Sequence, residues 1–520
     1  MNPRVLYYIK SIIVISLLAW YATFLSHKIN LTTADLGRHI QNGNIIINGS
    51  REEKTALLHS NFYSYTLPAQ AFINHHWGSG VVFYFINQFF GFTGLSFFYI
   101  LLGIATLVLF WDIARKESNF FIASGFAFAL IPLLTSRAEV RPEMFTYFLT
   151  AVFFWILWEI RAAQISDKYL YSLPILMLLW VNLHIGFIFG FLVLGAFGLE
   201  QLTKLVKKQP NHFLQLFYIS LSCALAGLIN PNFINGLLAP LNIFKNYGYL
   251  IVENQSISFL ENLNFTANQH FLLFKATVFL ILASFIIIAV KNWRKIDLAQ
   301  LILVSTTGLI AYFGIRNFPS FAFFTLPALS KNIYDLRFKN TQHSYNYYMW
   351  TTGVIILAIL LLQQFQTFQE NKSILGFGLL PGVNASAEFY KTNKISGPLF
   401  NNYDIGGYLI YHLYPQKLFV DNRPEAYTAD FFENRYKSPQ ENPKKWAELE
   451  KKYHFNSIFF AYHDYTPWAQ TFLVKKIKDP DWAPVFVDQY AIIFLKRNKQ
   501  NKNLISKYEI PKSKFSTINQ

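Results

Sequence analysis

Long apolar runs separated by short polar stretches set the pattern of the first 365 positions. The runs occupy 8–26, 94–111, 119–135, 144–160, 169–182, 185–203, 211–229, 271–290, 298–313, 318–331 and 347–365. A helix rises about 1.5 Å per residue, so roughly 20 residues cross about 30 Å of hydrocarbon, and the shorter runs do so with tilt or flanking residues. The pattern predicts an all-α polytopic membrane domain over residues 1–366, with about 11 transmembrane helices. The first run, YYIKSIIVISLLAWYATFL, lacks a small-residue cleavage site and is followed by further spans, so it reads as an anchor.

The polar stretches sort by charge. Arg4 and Lys10, ARKE at 114–117, IRAAQISDK at 160–168, KLVKKQ at 204–209, KNWRK at 291–295 and KNIYDLRFK at 331–339 all fall on one side under this count. Basic residues in short loops are retained in the cytoplasm, so the N-terminus is expected inside. Loops 27–93, 136–143 and 230–270, and everything after residue 366, then lie on the outer face. Within GSGVVFYFINQFFGFTGLSFFYILLGIATLVLFW, the GFTG at 91–94 permits a turn. Residues 78–90 are expected as a helix at the outer interface, because a further crossing would put ARKE outside.

From about residue 371 the periodicity changes. Short β-rich runs, KLFVD at 417–421, SIFFAY at 457–462 and YAIIFLKR at 490–497, alternate with helix-like ENPKKWAELEKKY and WAQTFLVKKI. A small α/β extracytoplasmic domain is expected over 371–500, with a polar flexible tail over 501–520.

Composition agrees with a membrane protein: 53% of the 520 residues are hydrophobic and only 14% charged. The single cysteine, Cys223, excludes an intramolecular disulfide and argues against a thiolate metal site. The formal charge of +16 resides largely in the inner loops and the tail, so no nucleic-acid partner is implied. No nucleotide-binding or hydrolase motif stands in a usable context, and DIGGY at 404–408 reads as a turn.

The outer side collects Asp35, Arg38, His39, His59, His75, His76, Arg137, Glu139, Arg141, Glu143, His184 and Arg316. If 35–45 is helical, Asp35 and His39 share a face at i and i+4; alternatively Asp35 is an N-cap. His75 and His76 in NHHWGSG bind phosphate or sugar hydroxyls, or anchor the interface; as adjacent residues they do not face one metal together. TSRAEVRPEMF at 135–145 sets Arg137 and Arg141, which can grip phosphate, beside Glu139 and Glu143, and the four can equally form a structural latch. Asn182 and His184 in LWVNLHIGFIFG, and Arg316 in RNFP, either line an outer cavity or satisfy helix ends. In FVDNRPEAY, Asp421, Arg423 and Glu425 bind sugar hydroxyls or pair with one another.

ADLGRHIQNG, HSNFYSYTLPAQAFINHHWGSGVVFYF, SRAEVRPEMFTYFL and LLWVNLHIGFIFG, with GPLFNNYDIGGYLIYHLYPQKLFVDNRPEAY and DPDWAPVFVDQYAIIFLKR in the tail, carry a resemblance over roughly residues 1–498. The chain resembles bacterial multi-spanning membrane proteins related to the GT-C superfamily of polyprenyl-phosphate-dependent glycosyltransferases. The resemblance implies a GT-C-like membrane domain, and inverting transfer of a sugar from a polyprenyl-phosphate lipid to a saccharide, lipid or protein acceptor of the cell envelope. It implies location in the bacterial cytoplasmic membrane, with Asp35 as base or acceptor-orienting group and Glu139 or Glu143 as the second acid. Arg38, His39, His75, His76, Arg137, Arg141, His184 and Arg316 are the expected substrate-binding residues. Characterised members often carry a paired acidic motif or a metal site; the single aspartate in this first loop departs from that, so no cofactor is expected and a divalent metal has no support.

Two other classes compete. A transporter or flippase of lipid-linked saccharide would place polar residues near the bilayer midplane, often within an inverted repeat. A non-catalytic scaffold would use its outer domain to bind glycan or protein.

Overall fold

The computed structural model describes residues 3–242, 247–263, 269–336 and 343–515. The chain divides into two compact units. The first comprises Met1–His27, Ser96–Asn230 and Leu250–Phe377; the second comprises Lys28–Leu95, Pro231–Tyr249 and Gly378–Gln520.

Each apolar run of the sequence lies on a helix: Pro3–Leu25, the later part of Trp77–Glu117, Phe120–Leu134, Glu143–Arg161, Ser172–Leu183, Ile188–Val206, Phe213–Gly227, Gln269–Asn292, Leu298–Phe313, Phe318–Leu336 and His343–Asn371. Among the described residues, five helical segments are long and apolar enough to cross a membrane, namely Pro3–Leu25, Trp77–Glu117, Glu143–Arg161, Ile185–Val206 and His270–Lys295. Helix starts follow local chemistry. Asn119 accepts from the backbone N–H groups of Phe121 and Ile122 at 3.0 Å, and Asp297 accepts from that of Gln300 at 3.0 Å. The break expected at GFTG falls at Gly91, whose φ of 62° interrupts Trp77–Glu117.

The interior of the first unit is aromatic. Phe110 stacks on Phe323 and Phe154 with ring centroids 5.0 and 5.5 Å apart, and Phe324 meets Phe110 and Phe154 edge-on at 5.4 and 5.3 Å. Leu272, Phe279, Ile286 and Val290 of Gln269–Asn292 are exposed, as suits a helix against lipid rather than water. The helix Glu143–Arg161 ends in a second feature. Arg161 reaches Glu117 at 3.2 Å, Glu200 at 3.1 Å and Asp297 at 3.0 Å, joining four helices at one point.

The second unit is built on a four-stranded mixed sheet of β1 (Leu399–Asn401), β2 (Ser457–Phe460), β3 (Trp482–Val487) and β4 (Ile492–Lys496) in the order β1-β2-β4-β3. β1 and β2 are parallel, with Phe400 opposite Ile458; β2 and β4, and β3 and β4, are antiparallel. Phe400, Phe419, Trp446, Phe455, Phe460 and Phe472 form the core. The runs at 457–462 and 490–497 contain strands as expected. The run at 417–421 does not: only Leu418 bridges, to Ser64. Side chains take its backbone groups instead. Asn401 donates to Val420 O at 2.7 Å and accepts from Phe419 N–H at 3.1 Å, while Thr66 Oγ1 donates to Phe419 O at 2.9 Å.

Segments from the first long loop complete this unit. Helix Leu36–Asn48 packs against Gly406–Leu413 and against the start of Trp77–Glu117 at glycine contacts. A Cβ on Gly43 would lie 2.1 Å from Gly80 O, and one on Gly37 would lie 2.9 Å from Gly407 O. Residues 502–508, read from sequence as flexible tail, form the helix Lys502–Tyr508 with Ile505 buried, and Ile510 N–H donates to Pro484 O at 2.8 Å.

Candidate active site

In the second unit Asp35 stands at the N-cap position of Leu36–Asn48, yet its side chain makes no capping bond. The carboxylate turns to other partners. Asn422 Nδ2 donates to Asp35 Oδ1, Arg38 Nε donates to Asn422 Oδ1 at 3.2 Å, and Arg38 Nη2 lies 3.7 Å from Asp35 Oδ2. Three side chains close a ring that fixes the carboxylate. The Arg38 side chain is 5% exposed while that of Asp35 is 29% exposed, so the carboxylate is the member that opens outward.

Asn422 is held there by the turn that follows Phe419. Arg423 grips Asp421 with Nε and Nη2, each at 2.7 Å, donates to Asn61 Oδ1 at 2.8 Å, and lies 4.5 Å from the Phe72 ring centroid. Planar, bidentate pairing of this kind fixes geometry as well as charge. Glu425 follows in the short helical turn Pro424–Ala426 and is half-buried. Burial pushes its carboxyl above the ordinary range, against its own backbone N–H and the guanidiniums of Arg38 and Arg423, with Asp421 adding to the rise. Tyr403 lies in the combined field of Glu425, Asp35, Asp404 and Asp421; burial first, and then these carboxylates, raise its phenol well above the usual value. Tyr249 stacks on Tyr403 with centroids 4.0 Å apart.

His39 packs among aromatic rings. Its ring meets His76 edge-on at 5.3 Å and lies 6.3 Å from Phe83, and His75 and His76 are 4.2 Å apart. His59 Nδ1 bonds Asn232 Oδ1 at 3.0 Å.

In the first unit the turn before Glu143–Arg161 carries a second polar cluster. Glu143 Oε1 receives Arg137 Nη2 at 2.9 Å and Arg316 Nη2 at 2.7 Å. Arg137 Nη1 also pairs with Glu253, which Arg141 Nη1 meets at 3.3 Å. Arg141 Nε donates to Glu139 Oε2 at 2.7 Å, and Arg316 Nη1 donates to Asn254 Oδ1 at 2.9 Å. Three guanidiniums thus face three carboxylates. Burial works against the charge on Arg137, but Glu143 and Glu253 outweigh it and hold the guanidinium more firmly protonated than usual. Burial likewise raises Glu253, and Arg141 with Arg137 reverses the effect and holds it below the usual carboxylate range. Arg137, Glu139, Arg141, Glu143 and Arg316 are therefore brought together.

His184 follows the helix Ser172–Leu183. It caps the turn Ile185–Phe187, its Nδ1 accepting from Gly186 N–H at 3.1 Å and lying 2.7 Å from Thr146 Oγ1. Asn182 Nδ2 donates to Leu178 O and Ile229 O, both at 2.9 Å.

Sequence reasoning missed Glu253, Asn254 and Asn422. Glu253 is the sole carboxylate between residues 230 and 260, where Lys245 is the only other charged residue, and that was a usable signal. Asn422 sits inside FVDNRPEAY with no feature to distinguish it. Among the described residues no three His, Cys, Asp or Glu side chains converge to hold a metal ion. The partners of Asp35 are an amide N–H and a guanidinium, both donors, and these residues do not fit a metal centre.

With an apolar helical unit and a unit carrying a small mixed sheet, the chain has a GT-C-like fold. It is similar to the oligosaccharyltransferase AglB of Archaeoglobus fulgidus, solved in complex with an inhibitory peptide and a dolichol-phosphate. That likeness has a TM-score of 0.59 at 12% identity, over 94% of this chain and 74% of that one. A structure of the Archaeoglobus fulgidus oligosaccharyltransferase tethered to an acceptor peptide gives 0.56 at 14% identity, over 95% and 74%. ArnT from Cupriavidus metallidurans in the apo state gives 0.50 at 11% identity, over 93% and 97%. No protein-family model and no curated protein sequence matches the chain.

Proposed function

We propose that the protein is a membrane glycosyltransferase that moves a sugar from a polyprenyl-phosphate donor to a cell-envelope acceptor at the outer face of the bacterial cytoplasmic membrane, with inversion at the sugar carbon. The observation that carries this reading is the outward-opening Asp35 carboxylate, held by Asn422 and Arg38 in a protein of GT-C fold. A fixed carboxylate can accept a hydrogen bond from an acceptor hydroxyl and align it for attack. Considered within the first unit alone, Arg137, Arg141 and Arg316 are the guanidiniums suited to grip a lipid phosphate, with Glu139 and Glu143 as counter-ions that orient them. In the second unit Arg38 holds the acid, and His39, His75 and His76 are candidates to bond phosphate or sugar hydroxyls; His184 is a candidate of the same kind in the first unit. The fold supports a lipid-linked donor, since AglB was solved with dolichol-phosphate bound. Eleven crossings with a cytoplasmic N-terminus, and an extracytoplasmic domain over 371–500, complete the topology.

The test is sugar transfer by full-length protein in nanodiscs, with labelled polyprenyl-phosphate sugars and envelope acceptors, comparing wild type with Asp35→Asn. Wild type is expected to transfer, and a folded Asp35→Asn to lose about 100-fold in kcat/KM as acceptor alignment is lost. Absence of transfer by wild type, together with donor transport in proteoliposomes that ignores Asp35→Asn, would replace this reading with a transporter.

A further inference from the structure

Resting on the transfer reading above, we infer that His184 grips the phosphate of the lipid donor through an Nε2–H that Thr146 and Gly186 impose, with Thr146 as a positioning residue. The contacts that set the ring are direct. Trp180 Nε1 donates to Thr146 Oγ1 at 3.1 Å, Thr146 Oγ1 lies 2.7 Å from His184 Nδ1, and Gly186 N–H donates to the same Nδ1 at 3.1 Å. An indole N–H and a backbone N–H can only donate. Nδ1, facing the Gly186 N–H, is therefore an acceptor, and Thr146, having accepted from Trp180, gives its own proton to Nδ1. In the neutral ring the proton then sits on Nε2. That nitrogen gives a hydrogen bond and has no lone pair with which to take a proton from an acceptor hydroxyl, so the ring is a donor to oxygen and not a base. A neutral imidazole fixed as a donor to oxygen is a proven electrophilic part in enzymes.

Three elements of the first unit build this arrangement. Helix Ser172–Leu183 ends at His184, one turn after Trp180, whose carbonyl accepts from His184 N–H at 3.0 Å. Helix Glu143–Arg161 brings Thr146, and the turn Ile185–Phe187 brings the Gly186 N–H. Glycine is required at 186, since a Cβ there would lie 2.2 Å from Thr146 Oγ1 and 2.9 Å from His184 Nδ1. The bonds are buried, so water does not compete for them. A turn that needed only a cap would be served as well by Asp, Asn or Ser. The hydroxyl and indole behind the ring add nothing to the cap, and they do fix which nitrogen carries the proton.

Thr146 stands three residues after Glu143 on one helix, so the two side chains leave the same face of its first turn with Cβ atoms roughly 5–6 Å apart. Glu143 there receives Arg137 and Arg316. The imidazole donor is thus rooted in the same helical turn as the guanidiniums suited to phosphate. That shared root points to a phosphate oxygen, rather than a sugar hydroxyl, as the acceptor of the Nε2–H.

The experiment uses full-length wild type, His184→Asn, Thr146→Ser and Thr146→Val in nanodiscs, with undecaprenyl phosphate as the binding probe and sugar transfer followed in parallel. Asparagine offers its Oδ1 to the Gly186 N–H, which keeps the cap, and has nothing at the place of Nε2. His184→Asn is expected to melt with wild type and to bind undecaprenyl phosphate about 10-fold or more weakly, the loss of one hydrogen bond to a charged oxygen. Thr146→Ser keeps the hydroxyl and should bind as wild type does, while Thr146→Val should bind about 3-fold more weakly as the ring loosens. Nitrogen NMR of histidine-labelled protein, with the His184 signals identified by their loss in His184→Asn, should show a protonated Nε2 and a bare Nδ1. The reverse tautomer would overturn the proposal. Displacement of the lipid by an equal concentration of inorganic phosphate would reassign the site to a soluble phosphate and overturn the lipid assignment. Wild-type transfer with binding untouched by His184→Asn would reduce His184 to a cap and leave the transfer reading standing. A wild type that neither binds the lipid nor transfers sugar would remove both.

Discussion

Replacing Arg423 with methionine tests how the candidate site is held. The side chain is 1% exposed and its partner Asp421 is fully buried. Methionine keeps much of the apolar bulk beside Phe72 and removes both bonds to Asp421 and the bond to Asn61. What remains for the Asp421 carboxylate is the Tyr427 hydroxyl at 3.2 Å. Breaking one side of a buried pair leaves an uncompensated charge and costs about 3–5 kcal/mol. For a unit of this size that is roughly 6–20 °C in melting temperature. Trp446 and Trp482 lie in the same unit, so tryptophan fluorescence of the full-length protein on heating reports the loss. The double variant Arg423→Met with Asp421→Leu leaves no unpaired charge and should recover most of the difference. A single variant that melts with wild type, or a double variant worse than the single, would refute the view that this pair fixes the turn bearing Asn422.

Two further outcomes follow from packing and charge. Gly43→Ala forces a methyl into the space 2.1 Å from Gly80 O and should cost at least about 1–3 kcal/mol, seen in the same melting experiment; an unchanged melting temperature would mean the helices separate freely. Glu253 has a lowered carboxyl pKa, so its pairing with Arg137 and Arg141 is present above its unfolded value of about 4.3 and is lost as pH falls through the lower folded value. Pepsin cleavage within 250–263 should therefore rise on acidification below that point, and Glu253→Gln should raise cleavage already above it and flatten the pH dependence.

Much of the helical unit was legible because its signal is local. Each apolar run became a helix, and GFTG marked the break at Gly91, since hydrophobic length and glycine are read residue by residue. The grouping of Arg137, Glu139, Arg141, Glu143 and Arg316 was half visible, because four of the five share one turn. Glu253 comes from 110 residues further along than Glu143, and no periodicity announces such a pairing. Asp35 was singled out correctly as a side chain near a helix start, but its partners could not be read. Arg38 sits at i+3, and Asn422, which bonds both Asp35 and Arg38, comes from nearly 400 positions away. The 417–421 run shows the opposite failure: its composition is that of a strand, and Asn401 and Thr66 take the groups a ladder would have used.

The helix Glu143–Arg161 is tied at both ends, Glu143 to Arg137 and Arg316, and Arg161 to Glu117, Glu200 and Asp297. Those anchors stand about 27 Å apart along its axis. Sliding the helix by a single turn, about 5.4 Å, would pull every one of these pairs apart at once. It therefore behaves as a stator. Displacement within this unit falls to helices outside those anchors, such as Phe213–Gly227, whose Leu214, Phe217, Tyr218, Leu221 and Leu225 are exposed.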